Sequence, residues 1–514
     1  MTIAGEGEAR RRALLALAGA TVLGVGLRAA VAAPLELFAD EALYLWLARQ
    51  MPFGFCPHPP GVPLMVRLGI SLLGPSEWGV RLVHQSVALL LPAAVFLLAR
   101  CVGDWAAAAR AAWAAACVPA FVVGGAMATP DAPQLVLWAL IAAAVWHACQ
   151  TGRRRWWAAA GVLLGGAMLI KYIVILVLPA VVLFLLLRPE VRRLSGWRGP
   201  WVMAAVAAAL FAPPALWSEW QAGWPTLRYH LVERQMWRVP SPGPVLQYVG
   251  IHLLVYSPLL YALLLWGLVE VARRMRRREE GPRAAFLFAF AVVPIALFLA
   301  VAAMTDRRTG REHWDAPGCL MLLVVLAVQF GATRVRRRLL AGAVALAAVA
   351  SVVTVAEAHA RVVSSLLGRE PLFSNMSGWR DLAAAIDCEA GSLPGGAERV
   401  VVTNRFEPAM QYLAYSSAPG GARPVKVLDH HSARDHGVRH LLVAGRLEQH
   451  RLMDHPGASA VFVIERPRDA GETGGDQARR EAKLRRLFQS VVRGPDSGRF
   501  ALYRCTGLRY PPEE

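Results

Sequence analysis

Residues 153–193 read RRRWWAAAGVLLGGAMLIKYIVILVLPAVVLFLLLRPEVRR. The apolar part, 156–187, is too long for one ordinary membrane span, which takes about 20 residues. Lys171 interrupts it near its middle. Two short spans meeting at Lys171 satisfy the length. Charge then tests the choice. Arg153, Arg154 and Arg155 precede the stretch, and Arg188, Arg192, Arg193 and Arg198 follow it. Positive clusters gather on the cytoplasmic side. Two crossings return both clusters to that side, whereas one crossing throws this cluster and every later one across the membrane.

The rest of the chain agrees. It has 514 residues, 56% of them hydrophobic, with mean hydropathy +0.40, against about 45–50% apolar in a soluble domain. Apolar runs fall roughly at 13–33, 79–100, 106–127, 132–150, the two halves of 156–187, 199–217, 246–271, 284–303, 317–332 and 339–357. The class is a mainly α, polytopic membrane protein of about eleven spans. The first run follows Arg10-Arg11-Arg12 and is read as a retained span, since no small-residue cleavage site follows it. With the N-terminus in the cytoplasm, the clusters at 10–12, 153–155, 188–198, 273–278 and 334–338 all fall inside. Asp40, Asp131, Lys171, His313 and everything after the last span then face outward. The net charge of +19 is thus a topology signal. No basic face with base-stacking aromatics points to nucleic acid.

The organisation expected is a membrane domain over 1–360 and a small soluble α/β domain over 361–514, outside the cytoplasm. Strand-like segments fall at Arg399–Thr403, Pro424–Leu428, His440–Ala444 and Ala460–Glu465, alternating with helical patterns at Leu382–Ile386, Pro408–Tyr415 and Gln477–Val492. Cys101, Cys117, Cys149 and Cys319 lie in or beside apolar runs as small buried residues. No pair of cysteines has zinc-ligand spacing. Cys388 and Cys505 lie in the polar C-terminal region and are candidates for a disulfide in an oxidising compartment.

Several ionisable residues stand out. Asp40 and Glu41 follow a mostly apolar segment. They are either solvated loop acids or the lining of a polar cavity, where one could serve as general base toward an acceptor hydroxyl or amine. Glu41–Met51 has near-helical apolar spacing and suits a short helix, lying in the interface or packed on the bundle. His58 sits between prolines. Asp131 starts an apolar run, where an N-cap is the simple reading. Lys171 is either a phosphate partner or a snorkelling side chain. Tyr229-His230, Glu233-Arg234 and Arg238 crowd one outer loop, and Arg307, Arg308, Arg311 and His313 another. Cations outside run against the usual bias and suit an anionic ligand such as a lipid phosphate, or simply a solvated loop.

Taken in order, Asp40-Glu41-Ala42-Leu43-Tyr44-Leu45-Trp46, His58-Pro59-Pro60, Thr129-Pro130-Asp131-Ala132-Pro133 and Lys171-Tyr172 resemble the GT-C type polyprenyl-phosphate-dependent glycosyltransferases. The nearer likeness is to the bacterial branch of protein O-mannosyltransferases and lipid A aminoarabinose transferases. Trp217-Ser218-Glu219-Trp220, Arg228-Tyr229-His230, Ser257-Pro258-Leu259 and His313-Trp314-Asp315-Ala316-Pro317 fit as well. The resemblance implies inverting transfer from a polyprenyl-phosphate-linked sugar to a lipid, glycan or protein acceptor, at the outer face of a bacterial cytoplasmic (inner) membrane. It implies that Asp40, with Glu41 beside it, acts at the acceptor and that Asp131 shapes the site. His58, Lys171, Tyr172, Arg228, His230, Arg308, Arg311 and His313 would hold the donor's phosphate and lipid. Two positions depart from the pattern: Pro57 stands where an acid often precedes His-Pro-Pro, and Cys319 where a Tyr is common. Some relatives use a divalent metal and others do not, and no ligand spacing here decides it. The rivals are a flippase or transporter of lipid-linked sugars, or a non-catalytic binder. A transporter wants its charges near the midplane in repeated halves, whereas these cluster at one interface without a visible repeat.

Overall fold

The computed structural model describes residues 3–50, 58–222, 224, 240–304, 313–394, 399–403, 405–418, 423, 425–427, 459–465, 481–482, 484–486 and 488–508. The chain divides into two compact units. The first comprises Met1–Pro34, Phe53–Ala222 and Gln235–Leu372; the second joins Leu35–Pro52 and Gly223–Arg234 to Phe373–Glu514.

The first unit is helical. Each of the expected apolar runs forms helix. Six helices among the described residues are long and apolar enough to cross a membrane, or up to eight if each of two bent pairs is one span. Three shorter apolar helices, Gly61–Leu73, Tyr172–Leu187 and Ala316–Gln329, complete the list. The run at 156–187 is broken as its length and charge require. Arg154–Met168 stops short of Lys171, a 3-10 turn covers Tyr172–Leu176, and Val177–Leu187 continues. Pro179 falls in the first turn of that last helix, where a missing N–H leaves nothing unpaired.

Two expected spans are not straight: the run at 106–127 is Trp105–Cys117 and Pro119–Ala126, bent by 62°. The run at 246–271 is two helices, Pro242–Val255 and Pro258–Arg276, bent by 117°. The bend falls at Ser257, whose φ of +68° is a left-handed conformation, just before a proline that starts the next helix. Gly61–Leu73, outside the expected apolar runs, is a further helix. Small residues let helices approach closely. A Cβ at Gly161 would lie 2.7 Å from the Met203 carbonyl and one at Gly165 3.0 Å from that of Ala207. This Gly-x-x-x-Gly face therefore seats Arg154–Met168 directly on the Arg198–Ala222 backbone.

The second unit is α/β. Its strands are β1 (Arg399–Thr403), β2 (Val425–Val427), β3 (Ser459–Glu465), β4 (Phe488–Ser497) and β5 (Phe500–Leu508). They form one sheet in the order β2-β1-β3-β5-β4. β1 pairs parallel with β2 and β3, and β5 pairs antiparallel with β3 and β4. Val400, Val402, Phe462, Phe488, Val491, Tyr503 and Cys505 share one apolar cluster. The helix expected over 477–492 is present at 481–482 and 484–486, and its C-terminal part is corrected, since β4 begins at Phe488. Phe488 and Val491 are three apart and imitate helical spacing, while both are buried strand residues beside an irregularity between Arg493 and Asp496. The expected strand at His440–Ala444 lies outside the described residues.

The first-loop segment belongs to this second unit. Its helix, Ala39–Gln50, has every residue from Glu41 to Ala48 buried and packs on the Phe406–Tyr415 helix. Leu37 N–H donates to the Tyr415 hydroxyl at 2.7 Å, and Gln411 Nε2 donates to the Leu37 carbonyl at 2.7 Å. Glu36 accepts from Trp379 N–H at 2.7 Å. A carboxylate thus satisfies the free N-terminus of the Trp379–Gly391 helix. The apolar face foreseen for an interfacial helix is covered by protein.

Candidate functional site

Three residues singled out from sequence meet in the first unit. The turn at 127–130 ends with Pro130 at the N-cap, so Asp131 is the first residue of the Asp131–Thr151 helix rather than its cap. Its carboxylate is engaged by Lys171, with Nζ at 2.5 Å from Oδ1. His313 Nε2 stands 3.7 Å from the same oxygen. Exposure rises across the trio: the side chains of Lys171, Asp131 and His313 are 4%, 19% and 48% accessible. The lysine is largely buried and the imidazole is half-exposed.

Local structure fixes Lys171. Its backbone is extended, at φ −153° and ψ 127°, and its N–H donates to the Ala167 carbonyl at 2.9 Å. The break is also stitched to the proline turn that carries His58. Gly61 N–H donates to the Leu169 carbonyl at 2.8 Å, and a Cβ at Gly61 would lie 2.5 Å from that oxygen. Only glycine permits this approach. His58 itself is half-buried. Tyr172 opens the 3-10 turn and packs edge-on against Phe211, with ring centroids 6.1 Å apart. Arg228, His230, Arg308 and Arg311 lie outside the described residues.

In the second unit the adjacent acids part company. Glu41 is fully buried, and its Oε2 accepts from Phe38 N–H at 2.9 Å. That is half of a capping box, the third helical residue reaching back to the cap. Asp40 is half-buried in the same first turn. The disulfide expected between Cys388 and Cys505 is corrected, for both are free thiols. Cys505 points into the apolar cluster of the sheet, whereas Cys388 is exposed on the Trp379–Gly391 helix. Burial pushes the Cys505 thiol up to about 12.

A second polar cluster in the first unit was missed from sequence. His252 Nε2 lies 3.0 Å from Asp315 Oδ1, and Cys319 Sγ lies 3.8 Å from Asp315 Oδ2. All three side chains are buried. His252 falls inside an apolar run, and that criterion, applied to Lys171, would have found it. The same holds for Arg28, buried in the first helix, whose Nη1 donates to the Ala88 carbonyl at 2.9 Å. Arg81, also buried, donates from Nη1 to the Ala32 carbonyl at 2.9 Å. The two arginines tie the Ile3–Ala32 and Glu77–Ala88 helices together.

Comparison with known proteins places this architecture. Residues 57–217 match the family model described as dolichyl-phosphate-mannose-protein mannosyltransferase. No curated protein sequence matches the chain. The chain is similar to the crystal structure of ArnT from Cupriavidus metallidurans in the apo state, with TM-score 0.66 and 16% identity over 96% of this chain and 97% of that one. It is similar to the same protein bound to undecaprenyl phosphate, with TM-score 0.60 and 16% identity over the same shares. The oligosaccharyltransferase of Archaeoglobus fulgidus matches with TM-score 0.54 and 16% identity over 95% of this chain and 72% of that one. The chain shares the fold of these structures.

Proposed function

We propose that this protein transfers a sugar from a polyprenyl-phosphate donor to a lipid, glycan or protein acceptor. The work takes place at the outer face of a bacterial cytoplasmic membrane, with the C-terminal α/β region on that side. The observation that carries the reading is the Asp131–Lys171–His313 trio. A lysine in an apolar run is costly unless paired or used. Here its ammonium donates to one carboxylate oxygen, beside a half-open imidazole. An ammonium has three donors, so the bond to Asp131 leaves capacity for phosphate oxygens. Asp131 acts as the orienting group: it aims Lys171 and His313 and is not itself the base. The ArnT relative was solved with undecaprenyl phosphate bound, a ligand of the chemistry this cationic pair would take.

In the mechanism that follows, Asp40 takes the proton of the acceptor's O–H or N–H. The freed lone pair attacks the anomeric carbon from the face opposite the phosphate. The bond from that carbon to the phosphate oxygen breaks, and configuration inverts. Polyprenyl phosphate leaves with the bonding electrons, and Lys171 and His313 stabilise its developing charge. Glu41, occupied in capping its own helix, holds Asp40 at the helix start.

The test is release of free polyprenyl phosphate by purified protein in lipid, given a panel of polyprenyl-phosphate sugars and candidate acceptors. Release that collapses in Asp40→Asn and in Lys171→Met supports the transferase and both roles. Donor that binds and is never cleaved would replace the enzyme by a transporter or binder. Release that Asp40→Asn leaves intact would move the base elsewhere.

A further inference from the structure

We infer that His252, Asp315 and Cys319 form a closed, zinc-type metal site inside the helical unit, one that locks the bend at Ser257 to the turn carrying His313. The three ligand atoms lie within 4.8 Å of one another. A tetrahedral zinc, with bonds of about 2.0–2.3 Å, holds neighbouring donors about 3.3–3.5 Å apart. The nitrogen-to-oxygen separation of 3.0 Å and the sulfur-to-oxygen separation of 3.8 Å bracket that figure.

The proton inventory points the same way. His252 Nδ1 lies 2.8 Å from the Tyr248 carbonyl. A carbonyl only accepts, so Nδ1 carries hydrogen. In a neutral imidazole Nε2 is then a lone pair, and it faces a carboxylate. Two acceptors at that distance need a cation or a proton between them. A metal serves both and engages the thiol as well. A metal-ligating histidine is usually oriented by just such a bond from its other ring nitrogen to a carbonyl.

Charge also balances. A dication with one carboxylate, one thiolate and one neutral imidazole is neutral overall, and Cys319 releases its S–H proton to solvent as the metal enters. A neutral site avoids the cost of a bare carboxylate among apolar helices. Mixed nitrogen, oxygen and sulfur donors favour zinc over calcium or magnesium. The rings of Tyr248, Tyr256 and Tyr261 enclose the imidazole at 4.2, 5.6 and 5.2 Å. The buried hydroxyls of Tyr248 and Tyr256 have no hydrogen-bond partner among the described residues, so protein oxygens are available for a fourth position. A site closed by protein ligands is structural rather than catalytic. Its effect on transfer is indirect: Asp315 is two residues from His313, so the metal positions the open imidazole beside Asp131.

The experiment uses full-length protein purified in detergent without chelator and without a polyhistidine tag. Elemental analysis should find about one zinc per chain in wild type, and less than a tenth of that in His252→Ala and Cys319→Ser. After chelation, added cobalt(II) should restore a thiolate-to-metal absorption band that Cys388→Ser keeps and Cys319→Ser loses. Folded wild type that carries no metal and takes up neither zinc nor cobalt overturns the site, as does metal retained equally in both variants. Should the variants not fold, the wild-type cobalt spectrum decides alone. A bound cobalt without thiolate character overturns it too.

Discussion

Asp131-Ala132-Pro133 and Asp315-Ala316-Pro317 are the same tripeptide placed at the start of two apolar helices, and they meet opposite fates. Each aspartate faces a histidine, His313 at 3.7 Å in one case and His252 at 3.0 Å in the other. Asp131 also meets a lysine and keeps an open side. Asp315 meets a cysteine and is sealed, its side chain 2% accessible against 19% for Asp131. Local sequence sets each acid at the mouth of a helix. Neighbours distant in sequence then decide whether it organises cations toward solvent or soft ligands in the interior.

The comparison breaks most readily at Lys171. Lys171→Met leaves Asp131 without its buried partner, a cost of about 3–5 kcal/mol. Donor cleavage should fall by roughly a hundredfold or more, since a charge-stabilising donor is lost. Thermal unfolding and polyprenyl-phosphate release read the two effects. The double variant Asp131→Asn/Lys171→Met should recover much of the stability and none of the turnover. Recovery of turnover would mean the pair is only structural.

Asp315→Asn comes next. It keeps the shape and removes the charge, at about 1–3 kcal/mol for a buried hydrogen-bonded group. Release rates at saturating donor should stay within a few-fold of wild type. A collapse as deep as that of Lys171→Met would erase the distinction between the two acids. His313→Ala should cost less than about 0.5 kcal/mol in stability, because a half-exposed pair is screened. It should weaken donor binding, with a visible salt dependence. His252→Ala, its sealed counterpart, should destabilise far more.

The smallest effect applies the contrast between open and sealed groups to the second unit. A maleimide should label Cys388 in native protein within minutes at neutral pH. Cys505, with its thiol pushed up to about 12 by burial, should stay unlabelled until the protein unfolds, because the thiolate is the reactive form. Mass spectrometry of the labelled peptides checks this, and joint protection of both cysteines would restore the disulfide.

Much of this was legible in residues alone. Length and arginine placement located the break at Lys171, because a bilayer fixes how many apolar residues a span can hold. The strands β1 and β3 followed from their β-branched, apolar runs. The pairing of Asp131 with Lys171 was not legible. The two are 40 positions apart, and nothing local says which helices adjoin. His252 hid in an apolar run, and the bend at Ser257 hid because hydropathy averages over direction. Cys388 and Cys505 misled because a shared polar region says nothing about which way two side chains point. The strand at Phe488 misled because three-residue spacing is ambiguous between helix and an irregular strand.

The packing of the first-loop helix on Phe406–Tyr415 has a consequence for synthesis. Leu37 and its partner Gln411 are 374 positions apart. At about 5–20 residues per second, the ribosome needs roughly 20–75 s to supply the second after the first. Throughout that interval the helix bearing Asp40 exists without the surface that covers Leu43 to Ala48. The segment given the role of base is thus made early and secured late. A chain stalled before the Phe406–Tyr415 helix still lacks the partner that holds its acid.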